Sequence, residues 1–278
     1  MHLKSLLTSL SLASLIPLNV YALEANASSP TLTQTTAATM PGCVPGKPET
    51  SNNYMATKWY RDSVERNAQY HQVFSIGLEK VTHKVAQEKL KNKNWGVIMD
   101  IDETVLDNSH YQKDNVLSCT NTTMPTLYAN MEQAISTATP GAHNFTCSIQ
   151  KNGGKVVLVT NRDGTYDNKI QSATLANLQK AGICYDTVIF ANGAKDSNKT
   201  PRFNAVIAGD YSKIIATKPL KPLHVLGYFG DNIQDFPNIM QADAIKQDPN
   251  SDFYTKFGQE YFSLPNPGYG SWEHNQFN

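Results

Sequence analysis

The chain has 278 residues, enough to bury a substantial core in one large domain or two small ones. Lys plus Arg number 24 and Asp plus Glu number 24, a balance that gives no reason to expect a nucleic-acid polymer or an anionic membrane surface as partner. Apolar content is that of an ordinary soluble globular protein.

In chain order, residues 1–22 read as an export signal. Lys4 supplies a positive start, Leu6 to Leu18 is an apolar segment too short to span a bilayer well, and Val20-Tyr21-Ala22 is a small-residue cleavage site, with Ala25-Asn26-Ala27 as second choice. No Cys follows the apolar segment closely, so no lipid anchor is expected and the destination is the periplasm or the exterior. Residues 23–50, rich in Ala, Ser, Thr and Pro without periodicity, read as a flexible linker. The even set Cys43, Cys119, Cys147 and Cys184 then implies one or two disulfides, with all three full pairings open.

The domain proper is expected over 51–278. Between Asn53 and Lys91, apolar residues from Met55 to Val85 recur roughly at helical spacing, which predicts one long or two shorter amphipathic helices. Gly96 to Met99 is a buried-strand pattern that turns at once into Asp100-Ile101-Asp102-Glu103-Thr104. Residues 112 to about 138 are polar, with weak helical character from Leu127 to Ile135, and suit an insertion over the strand edge. Ala142 to Gln150 reads as a helix, Lys155 to Val159 as a strand, Tyr166 to Ala181 as a helix stopped by Gly182, Thr187 to Phe190 as a strand, Lys199 to Ala208 as a helix, His224 to Phe229 as a strand, and Tyr261 to Leu264 as a last strand. Strands separated by helices predict an α/β fold, a Rossmann-like, mostly parallel sheet with helices on both faces.

Three of these strands end in polar clusters: Asp100 and Asp102; Thr160, Asn161 and Arg162; Asp231 and Asp235. In a parallel sheet all three ends share the edge where ligands bind. One Asp-x-Asp alone fits a solvated turn equally well; three complementary clusters point to metal-assisted phosphoryl transfer. A phosphate monoester dianion repels an anionic nucleophile, and a divalent cation relieves that repulsion. Hard, oxygen-seeking Mg2+ is the expected ion, one per site, with Asp100, Asp231 and the Asp102 main chain as ligands and Asp235 ligating directly or through water. Asp100 is then the nucleophile that forms an aspartyl-phosphate, and Asp102 the proton donor to the leaving alkoxide. Its nearness to Asp100 should raise the Asp102 pKa, opposed by the cation, and the need for a protonated acid predicts an optimum below neutrality. The Thr160 hydroxyl, the Asn161 amide and Lys199 are the candidate phosphate-binding groups; Arg162 is either a phosphate ligand or the partner of a neighbouring carboxylate.

Ile98 to Tyr111 resembles the first signature of the bacterial class C acid phosphatases of the haloacid dehalogenase superfamily, the acid phosphatase subfamily of DDDD phosphohydrolases, and Leu226 to Phe236 resembles their second. Val159 to Arg162 and Lys199 to Phe203 resemble the intervening phosphate-binding motifs, with weaker similarity over Ala56 to Val81 and Leu264 to Trp272. The resemblance implies a Rossmann-like core with a smaller, mainly helical cap, which would fall at about 53–91 and 107–140. It also implies magnesium dependence and hydrolysis of small phosphomonoesters, nucleoside 5′-monophosphates among them. Tyr269 matches a position whose aromatic holds the substrate base, although a tail aromatic packed on the core fits it equally. The chain departs from the pattern in lacking an N-terminal lipidated Cys and over residues 112–138. A phosphotransferase would use the same residues; an inactive binding scaffold should have lost Asp100, Asp102, Lys199 or Asp231, and all are present.

Overall fold

The computed structural model describes residues 39–91 and 93–277, so the expected signal peptide and the first part of the expected linker lie outside the described residues. The elements in chain order are α1 (Tyr54–Asp62), α2 (Val64–Gln87), β1 (Trp95–Met99), β2 (Leu106–Asp107), α3 (Ser109–Ser118), α4 (Met124–Glu132), β3 (Thr137–Ala138), α5 (Ala142–Lys151), β4 (Lys155–Asp163), α6 (Asn168–Lys180), β5 (Thr187–Ala191), α7 (Thr200–Ala208), β6 (Ile215–Ala216), β7 (His224–Gly230), α8 (Gln241–Ala244) and β8 (Tyr261–Ser263). The amphipathic stretch after Asn53 forms two helices because Ser63 turns extended (ψ 139°) and its hydroxyl accepts from Arg66 N at 3.1 Å, capping α2.

Six strands form one sheet in the order β6-β5-β4-β1-β7-β8, parallel throughout except at the short edge strand β6. Every residue of β1 is buried, as a central strand covered on both faces requires. Alternate residues feed two cores. Val97, Met99, Val156, Leu158 and Val188 face α2, α5 and α6, whereas Ile98, Val157, Val159 and Ile189 pack with Phe203 and Val206 of α7 and with Tyr228 and Phe236. The chain leaves β1 toward β4 on one side and returns as β7 on the other, which puts the topological switch point at the carboxyl end of β1.

Two expectations need correction. Residues 39–50 are anchored rather than free: Cys43 is disulfide-bonded to Cys119, and Met40 N donates to Cys119 O at 2.8 Å. The second bridge joins Cys147 to Cys184, which selects one of the three pairings. Helix α2, placed in the cap from sequence, lies on the sheet: Phe74 stacks on Phe145 at 5.0 Å, and Gly77 leaves no room for a Cβ beside the Phe229 ring. The polar stretch 112–138, with helical character expected from Leu127 to Ile135, holds the end of α3 and the whole of α4. Helix α3 ends at Cys119 in the left-handed conformation (φ 58°), and α4 starts from a reciprocal Thr123–Thr126 capping box. Helix α3 lies against α1 and α4 against α6, over the sheet edge. Among the described residues no helix is long and apolar enough to cross a membrane.

Candidate active site

The first acidic cluster begins where β1 stops. Asp100 N still donates to Phe229 O of β7 at 2.9 Å, so its side chain is placed by the last rung of the sheet. Asp231 follows β7 directly, and Asp235 closes a short 3-10 turn, Ile233–Asp235, whose capping box joins Asn232 to Asp235. Gly230 makes this approach possible, because a Cβ there would overlap the Asp235 carboxylate. One oxygen from each of Asp100, Asp231 and Asp235 lies within 4.8 Å of the others.

Three carboxylates this close, two buried and one half-buried, are incompatible with full ionisation unless positive charge joins them. Burial pushes the Asp100 carboxyl up to about 7, with Asp235 and Asp102 adding to the rise and Lys199 opposing it. Burial, reinforced by Asp235 and Asp100, also drives Asp231 well above the usual carboxylate range. Lys199 sits at the start of α7 and is buried; its Nζ contacts Asp100 Oδ1 and lies 2.7 Å from Asp235 Oδ1. Burial by itself would lower the lysine, but the two carboxylates outweigh it and hold the ammonium protonated. One ammonium does not balance three carboxylates. The all-oxygen donor set suits a hard divalent cation.

Asp102 differs from its neighbour. Arg162, buried and reaching across from β4, brings Nη2 to 2.6 Å from Asp102 Oδ1 and Nε to 3.1 Å from Oδ2; Asn108 Nδ2 donates to Oδ1 at 2.7 Å. Burial would raise this carboxyl, yet the Arg162 guanidinium and these hydrogen bonds hold it below the usual range. The expected upward shift is therefore reversed, because an arginine fork outweighs one neighbouring charge. The same geometry corrects Arg162 as a phosphate ligand: its guanidinium is committed to Asp102 and, through Nη1, to Thr174 Oγ1 at 3.0 Å.

The remaining expected groups fall into place around this centre. Thr160 is buried at the end of the regular part of β4, and its hydroxyl accepts from Arg162 N at 3.1 Å, which leaves its proton free for another acceptor. Asn161 and Tyr269 line the cavity above the carboxylates. Tyr269 donates its hydroxyl to Glu103 Oε2, so the ring is tethered rather than loose in the tail. Sequence reasoning missed five supporting residues. Arg202 fixes Asn161 by donating from Nη2 to Oδ1 at 2.6 Å; Asn266 Nδ2 and Thr104 Oγ1 donate to the two oxygens of Asp231 at 2.8 and 3.1 Å; Asn108 and Glu103 brace the Asp102 loop. All five stand inside or beside the quoted motifs; the partners of Arg202, Asn266 and Thr104 are distant in sequence, while Asn108 and Glu103 brace their own loop.

A cavity of about 740 Å³ opens over these groups. Its floor is Asp100, Asp102, Asn161, Lys199, Asp231 and Asp235. The model of the HAD superfamily, subfamily IIIB (acid phosphatase), matches residues 13–272.

This chain belongs to that family.

The acid phosphatase assignment agrees with solved structures. The class C acid phosphatase from Bacillus anthracis is 26% identical, with a TM-score of 0.65 over 80% of this chain and 86% of that one. The same enzyme from Bacillus anthracis with tungstate bound matches at a TM-score of 0.64, with 26% identity over 80% of this chain and 86% of that one. The protein is thus a phosphomonoesterase that acts on small phosphate esters, on an α/β scaffold of the HAD type. Asp100, Asp102, Lys199 and Asp231, whose loss would mark an inactive scaffold, share one cavity.

Proposed function

We propose that this acid phosphatase is magnesium-dependent, proceeds through an aspartyl-phosphate on Asp100, and takes nucleoside 5′-monophosphates. The observation that carries the reading is the convergence of Asp100, Asp231 and Asp235 within 4.8 Å beneath an otherwise open cavity. Asp100 and Asp231, with the Asp102 main chain, would hold the ion, and Asp235 would share the load with Lys199. Once bound, the cation offsets the repulsion between the phosphate dianion and an anionic nucleophile.

In the first step an Asp100 oxygen bonds to phosphorus while the ester P–O bond breaks, and the departing oxygen takes a proton from Asp102. In the second step water attacks phosphorus, its proton returns to Asp102, and the carboxylate of Asp100 is restored with inorganic phosphate released. Arg162 orients Asp102 and keeps its protonated form scarce near neutrality, so turnover should rise toward acid pH. Lys199, the Thr160 hydroxyl and the Asn161 amide face charge that develops on the transferred group. The tungstate-bound relative supports an oxyanion subsite, since tungstate is a tetrahedral oxyanion like phosphate.

The leaving-group end of the cavity supports a nucleoside. Tyr269 and Trp272 provide aromatic faces, while Gln112, Asn121 and Asn53 provide neutral donors and acceptors. None of these is cationic, so a single phosphate suits the site better than a chain of them. The two disulfides support export to an oxidising compartment, periplasmic or extracellular.

The test is a panel of nucleoside monophosphates, sugar phosphates and an aryl phosphate, assayed with magnesium, with EDTA, and with Asp100→Asn. Activity that is highest on nucleotides, abolished by EDTA and restored by magnesium is expected. Full activity in EDTA, or in Asp100→Asn, would overturn the mechanism.

A further inference from the structure

The cavity that holds the carboxylates is lined in part by a segment that belongs to no helix or strand of the core. Met40 and Pro41 line the same cavity as Asp100 and Lys199. Residues 41, 42 and 44–47 are exposed, so burial of apolar surface contributes little to holding them. What holds them is local. Met40 N donates to Cys119 O at 2.8 Å, Gly46 N donates to Leu117 O at 3.1 Å, Ser51 Oγ donates to Met40 Sδ at 3.2 Å, and Cys43 is bonded covalently to Cys119. Hydrogen bonds exchange for bonds to water in the unfolded chain and do not by themselves fix a segment. The covalent bond does.

The bridge clamps two walls at once. Cys119 is the left-handed cap of α3, and on either side of it Asn115 and Asn121 line the cavity. Asn115 Nδ2 donates to Thr122 Oγ1 and its Oδ1 accepts from Thr120 Oγ1, both at 3.1 Å, so this turn is cross-braced around the bridge. The chemistry presented is apolar on one side, from the Met40 thioether and the Pro41 ring, and amide on the other. Such a pair of surfaces fits a flat, neutral, heteroaromatic group and has nothing to offer a phosphate.

We infer that the Cys43–Cys119 disulfide holds Met40 and Pro41 as one wall of the leaving-group pocket, making this segment a determinant of which ester the enzyme prefers. The inference rests on the leaving-group reading given above. It assigns the segment no part in phosphoryl transfer itself. The small ester therefore serves as an internal control for the bulky one.

The experiment compares the full chain with Cys43→Ser/Cys119→Ser on adenosine 5′-monophosphate and on glycerol 2-phosphate, measuring kcat and KM for each. We expect KM for the nucleotide to rise about fivefold or more, with KM for glycerol 2-phosphate and both kcat values within about twofold. Cys147→Ser/Cys184→Ser should leave the ratio of the two KM values unchanged. Equal changes on both esters, or none, would overturn the inference. If the first variant does not fold, Met40→Ala with the bridge intact carries the test: a rise of about two- to threefold in KM confined to the nucleotide supports it, and an unchanged nucleotide KM overturns it. Failure of the underlying reading looks different, because the unmodified enzyme would then show no preference between the two esters.

Discussion

Arg162 grips Asp102 with two nitrogens, Nη2 at 2.6 Å from Oδ1 and Nε at 3.1 Å from Oδ2; the guanidinium is buried, whereas the carboxylate opens onto the cavity. A forked pair of this kind fixes direction as well as charge. Arg162→Lys keeps the charge but loses the fork, so Asp102 should wander by more than proton transfer tolerates. We expect kcat to fall about 100-fold with KM changed less than about threefold. A large rise in KM with kcat preserved would instead mark Arg162 as a substrate ligand. Steady-state kinetics on any turned-over ester separates the two.

Asn266 bears on the ion rather than on the proton. Its amide donates to Asp231 Oδ2 at 2.8 Å, and its own Oδ1 accepts from Gly268 N at 3.0 Å, so the turn that carries Tyr269 also orients a carboxylate of the proposed cation site. For Asn266→Ala the magnesium concentration giving half-maximal activity should rise about 10- to 100-fold. Direct calorimetric titration of the variant with magnesium should show the same loss. Unaltered magnesium affinity would place Asn266 outside the support of the ion.

Cys147 and Cys184 are 37 residues apart and tie α5 to the turn before β5, far from the cavity floor. Closing a loop of that length in the unfolded chain should contribute about 3–4 kcal/mol. Cys147→Ser/Cys184→Ser should lose about that much in denaturant unfolding while kcat and KM stay put.

Asp186 gives the pH dependence of stability a definite sign. Burial would raise its carboxyl, but Val156 N at 3.0 Å, Lys155 Nζ at 2.9 Å and Gln150 Nε2 at 2.9 Å hold it below the usual carboxylate range. A carboxyl depressed in the folded state stabilises fully above its unfolded pKa, about 3.9, and loses that contribution as pH falls through the folded value. Asp186→Asn should therefore be less stable than the parent by about 1–2 kcal/mol at pH 7, with the gap narrowing below about pH 4. Denaturant midpoints measured between pH 7 and pH 3 check this.

Much of the fold was legible because its strands are the simplest of signals. Val97-Ile98-Met99 and Val156-Val157-Leu158 are continuous apolar runs, and both are central, parallel and buried on two faces. The convergence of Asp100 and Asp231 was legible for the same reason, since each directly follows a buried parallel strand. Other features depend on relations that local pattern does not carry. In the stretch 112–138, α3 turns Gln112 and Asn115 to the cavity whereas α4 turns Met124, Leu127 and Met131 to it, so periodicity is weak over α3 and the caps, at Thr123 and Cys119, are the stronger signal. Helix α2 was assigned to the cap although Gly77 marks the point where it closes on Phe229. The pairing of Arg162 with Asp102 rather than with phosphate depended on β4 lying beside β1, which fixes where an arginine two residues past Thr160 must reach.

The covalent step is the centre of this account. Enzyme mixed with excess phosphomonoester and magnesium, quenched within one turnover and reduced with borohydride, should yield homoserine in place of Asp100 in the digested protein, because an acyl phosphate is reducible and a free carboxylate is not. Asp100→Asn should yield none. Homoserine in place of Asp102 or Asp231, or single-turnover phosphate release with no residue converted, would contradict Asp100 as the group that receives the phosphoryl.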